Sequence, residues 1–223
     1  MKRVAEPTEL MDDSVQALAY ASANFSEANN LFIHLLQQLL PHKLNGHALD
    51  LGCGPAAIPI ALLRQHDELK IDAVDGAAAM LKLAEDEISG KPQLKERLCL
   101  INETLPSANL REATYDMVLS NSLLHHLADP LDLWITLQSC ARDGASVLIM
   151  DLARPPSAPA VDSLVESYAM NEPEVLREDF RNSLFAAYTV DEVQQQLLDS
   201  GLTQIEVKMV SDRHWVASGN FKR

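Results

Sequence analysis

Apolar positions along this chain change their period twice. Between residues 13 and 40 they recur at helical spacing, with Leu31, Phe32, Leu35, Leu36, Leu39 and Leu40 on one stripe that Pro41 ends. From residue 47 to 150 short runs rich in Val, Ile and Leu alternate with amphipathic stretches. The runs predict strands at 47–51, 70–74, 97–101, 115–120 and 146–150, and the stretches predict helices, clearest at 56–66, 77–88 and 130–142. Asp129-Pro130 suits the start of the last helix, with Asp as the cap and Pro at the first helical position. Strand–helix alternation implies a parallel sheet with helices on both faces.

The second change follows the fifth strand. Residues 153–187 read as a proline-rich link and two helices. Thr189 and Glu192 then form a capping box, and the helix they open ends at Gly201. Two strands, 203–210 and 214–219, joined by Ser211-Asp212-Arg213-His214, close the chain as an antiparallel hairpin. At 223 residues the chain suits one domain. Its expected parts are an N-terminal helical cap (1–44), a ligand-binding core (45–152), a helical insert or lid (153–187), and the last helix with the hairpin (188–223).

Composition narrows the function classes. Hydrophobic residues make up 47% of the chain, yet no apolar run is long enough for a membrane span. The start, MKRVAEPTELMDD, turns acidic at once and lacks an apolar signal core. Cys53, Cys99 and Cys140 are scattered without metal-ligand spacing and fit a reducing, cytoplasmic setting. The net charge of −14, with no cluster of Lys and Arg, argues against a nucleic-acid substrate and leaves small molecules and proteins open. Oligomeric state is open, a homodimer included.

The chemistry concentrates in ALDLGCGPAAIPIALL, residues 48–63, which reads as strand, glycine loop and helix. Such a turn holds a dinucleotide, a nucleotide phosphate or S-adenosylmethionine. Gly52, Gly54 and Ala57 satisfy G-x-G-x-x-A, and Asp75 follows about twenty residues on, which admits the dinucleotide. Three details point elsewhere. Asp50, at the strand end, would repel a pyrophosphate and favour an ammonium group. Pro55 and Pro59 remove N–H groups where a phosphate needs donors. About 45 residues precede the first strand, more than a Rossmann dehydrogenase often has. A ligand with an ammonium end, a ribose diol and no phosphate meets these conditions. Gly52 and Gly54 would let the backbone approach it, and Asp75 can accept both ribose hydroxyls.

The chain resembles the class I S-adenosylmethionine-dependent methyltransferases. LDLGCGP is similar to that family's glycine loop, IDAVDGAAAML to its second-strand segment, YDMVLSNSLLHHLADP to its fourth strand and following turn, and NSLFAAYTVDEVQQQLLDSGL to the late helix of its small-molecule members. The resemblance spans residues 45–219 and implies a Rossmann-like α/β fold. Its seven-stranded sheet would have the order 3-2-1-4-5-7-6, with the last strand antiparallel, helices on both faces and a helical cap. It implies S-adenosylmethionine as cofactor, S-adenosylhomocysteine as product, and a small-molecule acceptor. Asp75 would then hold the ribose, with Gly76 and Met80 on the adenine side, although Met80 serves equally as a core residue. Asn102 or Glu103 would hold the adenine amino group, in place of the family's usual Gly-Asp pair. Asn121 would lie beneath the methyl donor.

His125 and His126 are candidates to position the acceptor or act as a general base, or else they pack within a helix. No metal is expected, because adjacent histidines on a helix diverge and no further Cys or His completes a set. Ligands of open α/β sheets sit outside the C-terminal strand ends. This makes Asp151, Arg154, Arg213 and the insert's Tyr168, Arg177, Arg181 and Tyr188, with Tyr20 of the N-terminal cap, candidates for the acceptor side. Asn-Pro-Pro-Tyr, the signature of amino-methylating nucleic-acid enzymes, is absent, since residues 121–124 read NSLL. Two other readings stand beside this one: a nicotinamide-dependent oxidoreductase, and a non-catalytic module that keeps the fold as a scaffold.

Overall fold

A computed structural model describes residues 1–6, 10, 12, 17–18, 25–42 and 44–223. Helix α1 (Ser26–Leu39) precedes β1 (Gly46–Leu51), α2 (Ala57–Gln65), β2 (Leu69–Asp75), α3 (Ala78–Ile88), the short α4 (Pro92–Lys95) and β3 (Leu98–Asn102). Strand β4 (Tyr115–Asn121) leads through a 3-10 turn (Leu124–His126) to α5 (Leu131–Cys140) and β5 (Ala141–Leu152). The insert forms α6 (Ala158–Ala169) and α7 (Glu174–Ala186), followed by α8 (Val190–Asp199), β6 (Ile205–Met209) and β7 (His214–Asn220).

The strands form one sheet in the order β3-β2-β1-β4-β5-β7-β6. Pairing is parallel from β3 to β5, and β7 runs antiparallel to both β5 and β6. Strand alternation divides the core. Leu49, Leu51, Val118, Val147, Ile149 and Trp215 pack against Leu133, Trp134 and Leu137 of α5 and Val193 and Leu197 of α8. Ala48, Ile71, Leu119, Leu148 and Val216 face Phe32 and Leu36 of α1 and the apolar sides of α2 and α3. Of the N-terminal stripe, Phe32 and Leu36 are fully buried. Trp134 is also fully buried and donates to Gln196 Oε1 at 3.0 Å, so its polar edge is satisfied.

The strand and helix boundaries of the core follow the pattern closely, with corrections at two helices. The N-terminal helix expected over 13–40 is seen at Ser26–Leu39 after a non-helical Phe25, and residues 13–16 and 19–24 of that expectation lie outside the described residues. The helix expected to reach residue 142 ends at Cys140, and β5 begins at once with Ala141, five residues earlier than the apolar run. Arg142, Asp143 and Gly144 are exposed, so this strand start carries no apolar signal. A register shift between Tyr115 and Met117 marks the irregular pairing there. Helix α5 starts one residue later than expected, at Leu131 with Pro130 as its N-cap, and Asp129 just ahead of it accepts the Leu131 N–H at 2.9 Å.

The insert leaves and rejoins the sheet at one point, where Ala153 bridges Tyr188. It has a small core of its own, with Val161, Val165, Ala169 and Leu184 packed beside Leu152. Arg154, expected on the acceptor side, instead ties down the insert's base. It donates to Ala187 O at 2.9 Å and to Glu192 Oε1 at 2.5 Å. Glu192 is the second half of the capping box, whose two reciprocal bonds are both formed. Thr189→Ala removes the acceptor for the Glu192 N–H and should lower stability by about 1 kcal/mol, read as a shift in the chemical denaturation midpoint. An unchanged midpoint would show that the box contributes nothing.

Candidate functional site

A cavity of about 440 Å³ opens at the C-terminal ends of β1, β2 and β4, a volume typical of small-molecule sites. The glycine loop forms its floor. Gly52 has φ +71°, and a Cβ there would lie 2.7 Å from Leu123 Cδ1, so this position admits only glycine without rearrangement. The Gly52 and Cys53 N–H groups donate to Val74 O at 2.8 and 3.0 Å, which fastens the loop to the tip of β2.

Asp75 completes the fastening. Its Oδ2 accepts the Gly54 N–H at 2.7 Å and its Oδ1 accepts the Ala77 N–H at 2.8 Å. The carboxylate thus fills the loop's anion-binding position with a charge of the protein's own. Each oxygen keeps lone-pair capacity for a further donor. Burial raises the Asp75 pKa despite the two N–H bonds. Asp50 lies deeper, 3% exposed, and burial together with the nearby Asp75 pushes it up to about 8. Asn121 Oδ1 is buried at the cavity and accepts no hydrogen bond. These groups present unmet acceptor capacity to a ligand that brings donors and positive charge.

Gly76, Met80 and Glu103 line the same end, with Thr104 and Leu105, which the sequence reading missed. Glu103 accepts from Asn109 Nδ2 at 2.6 Å and Ser107 Oγ at 3.2 Å. Asn102 is not at the cavity. Its Nδ2 donates to Asp75 O and Gly76 O at 2.9 and 3.0 Å, bracing the β2 exit from outside.

The other end is framed by the 3-10 turn, the insert, α1 and the β6–β7 turn. His125 is buried, and its Nδ1 lies 2.5 Å from Asp151 Oδ1. Burial alone would lower the His125 pKa, but the Asp151 carboxylate raises it; His125 in turn holds Asp151 below the usual carboxylate range against burial. Asp151 also accepts the backbone N–H groups of His125 and Leu152, at 3.2 and 2.6 Å, so it supports His125 and does not line the cavity. His126 Nδ1 lies 2.6 Å from Glu6 Oε2, and the two imidazole rings are 4.0 Å apart.

The premise that adjacent histidines diverge therefore fails in this short turn. Glu6, His125 and His126 bring potential ligand atoms within 4.8 Å of one another. In the structure Glu6 of this cluster, and Asp151 behind it, are each matched to an imidazole Nδ1.

Tyr168 and Arg213 both line the cavity, with the guanidinium 3.4 Å over the phenol ring. Arg213 is held by Glu27 and Asp212, and Tyr168 donates to Asp212 at 2.6 Å. His214 beside them is lowered to about 4 by burial and Arg213, so it is neutral near pH 7. From the insert the cavity takes Glu172, Leu176, Asp179, Phe180 and Ser183. Arg177, Arg181 and Tyr188 face elsewhere: Arg177 pairs with Glu174, Arg181 with Asp162, and Tyr188 lies under Arg3. Tyr20 lies outside the described residues.

A family model described as a methyltransferase domain matches residues 49–147. Over 61 residues the chain is 39% identical to ribosomal RNA small subunit methyltransferase C of Psychromonas ingrahamii, covering 25% of this chain and 18% of that protein. Over 124 residues it is 29% identical to malonyl-[acyl-carrier protein] O-methyltransferase of Halalkalibacterium halodurans, covering 52% of this chain and 44% of that protein. The chain thus spans less than half the length of these curated relatives. A SAM dependent methyltransferase from Aquifex aeolicus superposes with a TM-score of 0.65 at 18% identity, over 92% of this chain and 97% of that one, a likeness of fold.

The contact between loop and turn makes Gly52→Ala costly, by about 1–3 kcal/mol. Part of that cost is the clash with Leu123, so Gly52→Ala should cost less in a Leu123→Ala background. Equal cost in both backgrounds, measured by denaturation, would contradict the packing account.

Proposed function

We propose that this chain, a member of the class I S-adenosylmethionine-dependent methyltransferases, transfers a methyl group to a small acceptor held under the helical insert. The observation that carries the reading is the Asp75 carboxylate seated on the Gly54 N–H. With that position filled, the loop is unsuited to the pyrophosphate of a nicotinamide cofactor and suited to a ligand without phosphate. Asp50 and the unpartnered Asn121 Oδ1 fit the ammonium of a methionine end, and the spare lone pairs of Asp75 fit a ribose diol. Glu103, Thr104, Leu105 and Met80 would enclose the adenine.

When bound, the cofactor supplies an electrophilic sulfonium methyl. The chain's own part is to orient the acceptor in line with it and to exclude water, both of which lower the barrier without covalent chemistry. An acceptor that loses a proton on methylation needs a base. His125 lines the cavity and commits Nδ1 to Asp151, which leaves Nε2 as the atom to take that proton. Asp151 would then stabilise the imidazolium, as a carboxylate does behind a catalytic histidine.

A small acceptor is supported by the roof that α6 and α7 make over the cavity and by its modest volume. The ribosomal RNA relative offers a second reading, a nucleic-acid acceptor. The net charge of −14 and the carboxylates Glu27, Glu172 and Asp179 at the cavity weigh against it.

Calorimetric titration tests the cofactor site. S-adenosylhomocysteine should bind, and NAD should not; tight NAD binding with no response to S-adenosylhomocysteine would overturn the assignment. At pH 7 Asp50 is protonated for the most part, and an ammonium beside it favours the carboxylate. Binding should therefore release most of a proton, visible as a heat that depends on buffer ionisation enthalpy. A buffer-independent heat would remove Asp50 from the site. Asp75→Asn loses the charge and one acceptor atom and should weaken binding ~10- to 100-fold, the scale of a lost charge-assisted hydrogen bond. Unchanged affinity would refute the ribose role.

A further inference from the structure

Residues 1–6 run across the lid and the histidine turn at once. The Val4 N–H donates to Phe185 O at 3.0 Å, and Arg3 Nε donates to Ala186 O at 2.6 Å, both at the end of α7. Arg3 Nη2 reaches His125 O at 3.1 Å and Leu127 O at 3.4 Å on the turn, with its guanidinium 4.3 Å over the Tyr188 ring. Glu6 repeats the link through its carboxylate. One oxygen accepts the Ser183 hydroxyl of α7 at 2.6 Å, and the other lies 2.6 Å from His126 Nδ1. The far side of the histidine pair is held by Asp151, 2.5 Å from His125 Nδ1. Two imidazoles 4.0 Å apart therefore stand between two carboxylates, one fixed in the sheet and one carried by the N-terminal segment.

We infer that Glu6 is a positioning residue of the transfer site, and that it completes the histidine pair only while the N-terminal segment lies across the lid. The inference rests on the reading of His125 as the base. Glu6 orients the His126 ring and places a negative charge near the imidazolium that His125 becomes on taking the acceptor's proton. The His126 bond holds Glu6 ionised, overcoming the rise that burial alone would cause. The groups acting on His125 are Asp151 from β5, and Glu6 and Arg3 from the segment, with the His126 ring beside it tilted by 38°; Asp151 and Glu6 favour its charged form and Arg3 opposes it. A segment that lifts away takes Glu6 with it, so the base is at full strength only in the closed site.

The test follows the histidine ring nitrogens by NMR in the full chain saturated with S-adenosylhomocysteine. Glu6→Gln keeps the shape and the Ser183 contact but removes the charge. It should lower the His125 titration midpoint by ~0.5–1 pH unit and change the His126 Nδ1 signal. Val4→Pro removes the N–H bond to α7 without altering charge and should lower the same midpoint by loosening the segment. Amide spectra of the sheet should stay as in the wild type, as should homocysteine-product affinity in Glu6→Gln. Wild-type titration of His125 in both variants overturns the role of Glu6. A shift in Glu6→Gln alone overturns the coupling to the segment. A wild-type His125 that does not titrate between about pH 5 and 9 sinks the base assignment and this inference with it. Failure of the wild type to bind S-adenosylhomocysteine is the separate failure of the cofactor reading.

Discussion

The carboxylate of Asp75 on the N–H of Gly54 is the contact on which the site depends. Glycine loops between a strand and a helix offer backbone donors to an anion. Here the anion is supplied from the neighbouring strand, and the same side chain also caps the turn at Ala77. The loop is thereby tied to β2, and its Gly54 N–H is already taken by a carboxylate. What remains open to a ligand is acceptor capacity: Asp50, Asn121 and the unused lone pairs of Asp75. Under the proposed function, this one side chain would turn a fold shared by many nucleotide binders toward a cationic nucleoside.

The transfer end is built on the same logic of held charge. Arg213 is matched by Glu27 and Asp212, His125 by Asp151, and His126 by Glu6. Apart from Arg213–Asp212, within the β6–β7 turn, no such pair is local to one element. The Glu27, Asp151 and Glu6 pairs each join two parts of the chain that the fold brings together, and two of those parts are coverings: α1 and the N-terminal segment.

The sheet order, the loop and the cavity-facing Gly52, Asp75 and Asn121 were legible because their signals are local: apolar runs, glycine spacing and the acid that ends a strand. The early start of β5 was not, since Arg142, Asp143 and Gly144 carry no apolar alternation. The strand-end rule selected the correct rim but not its roles. It put Asp151 and Arg154 on the acceptor side, whereas one backs His125 and the other braces α8. Asn102 was placed on the right strand end and faces the backbone of β2. Glu6 carried no signal, because its partner His126 lies 120 residues away. In a chain rich in acids, nothing distinguishes one that will meet a histidine only after folding.

The central claim is that an acid-stoppered glycine loop presents a sulfonium methyl toward His125 under the insert. A crystal structure of the full chain with S-adenosylhomocysteine bound measures this most directly. The account predicts ribose hydroxyls on Asp75, the amino group near Asp50 and Asn121, and the vacant methyl position facing His125 and the α6–α7 roof. A ligand lying elsewhere, or a sulfur directed to open solvent away from the histidine pair, would contradict it.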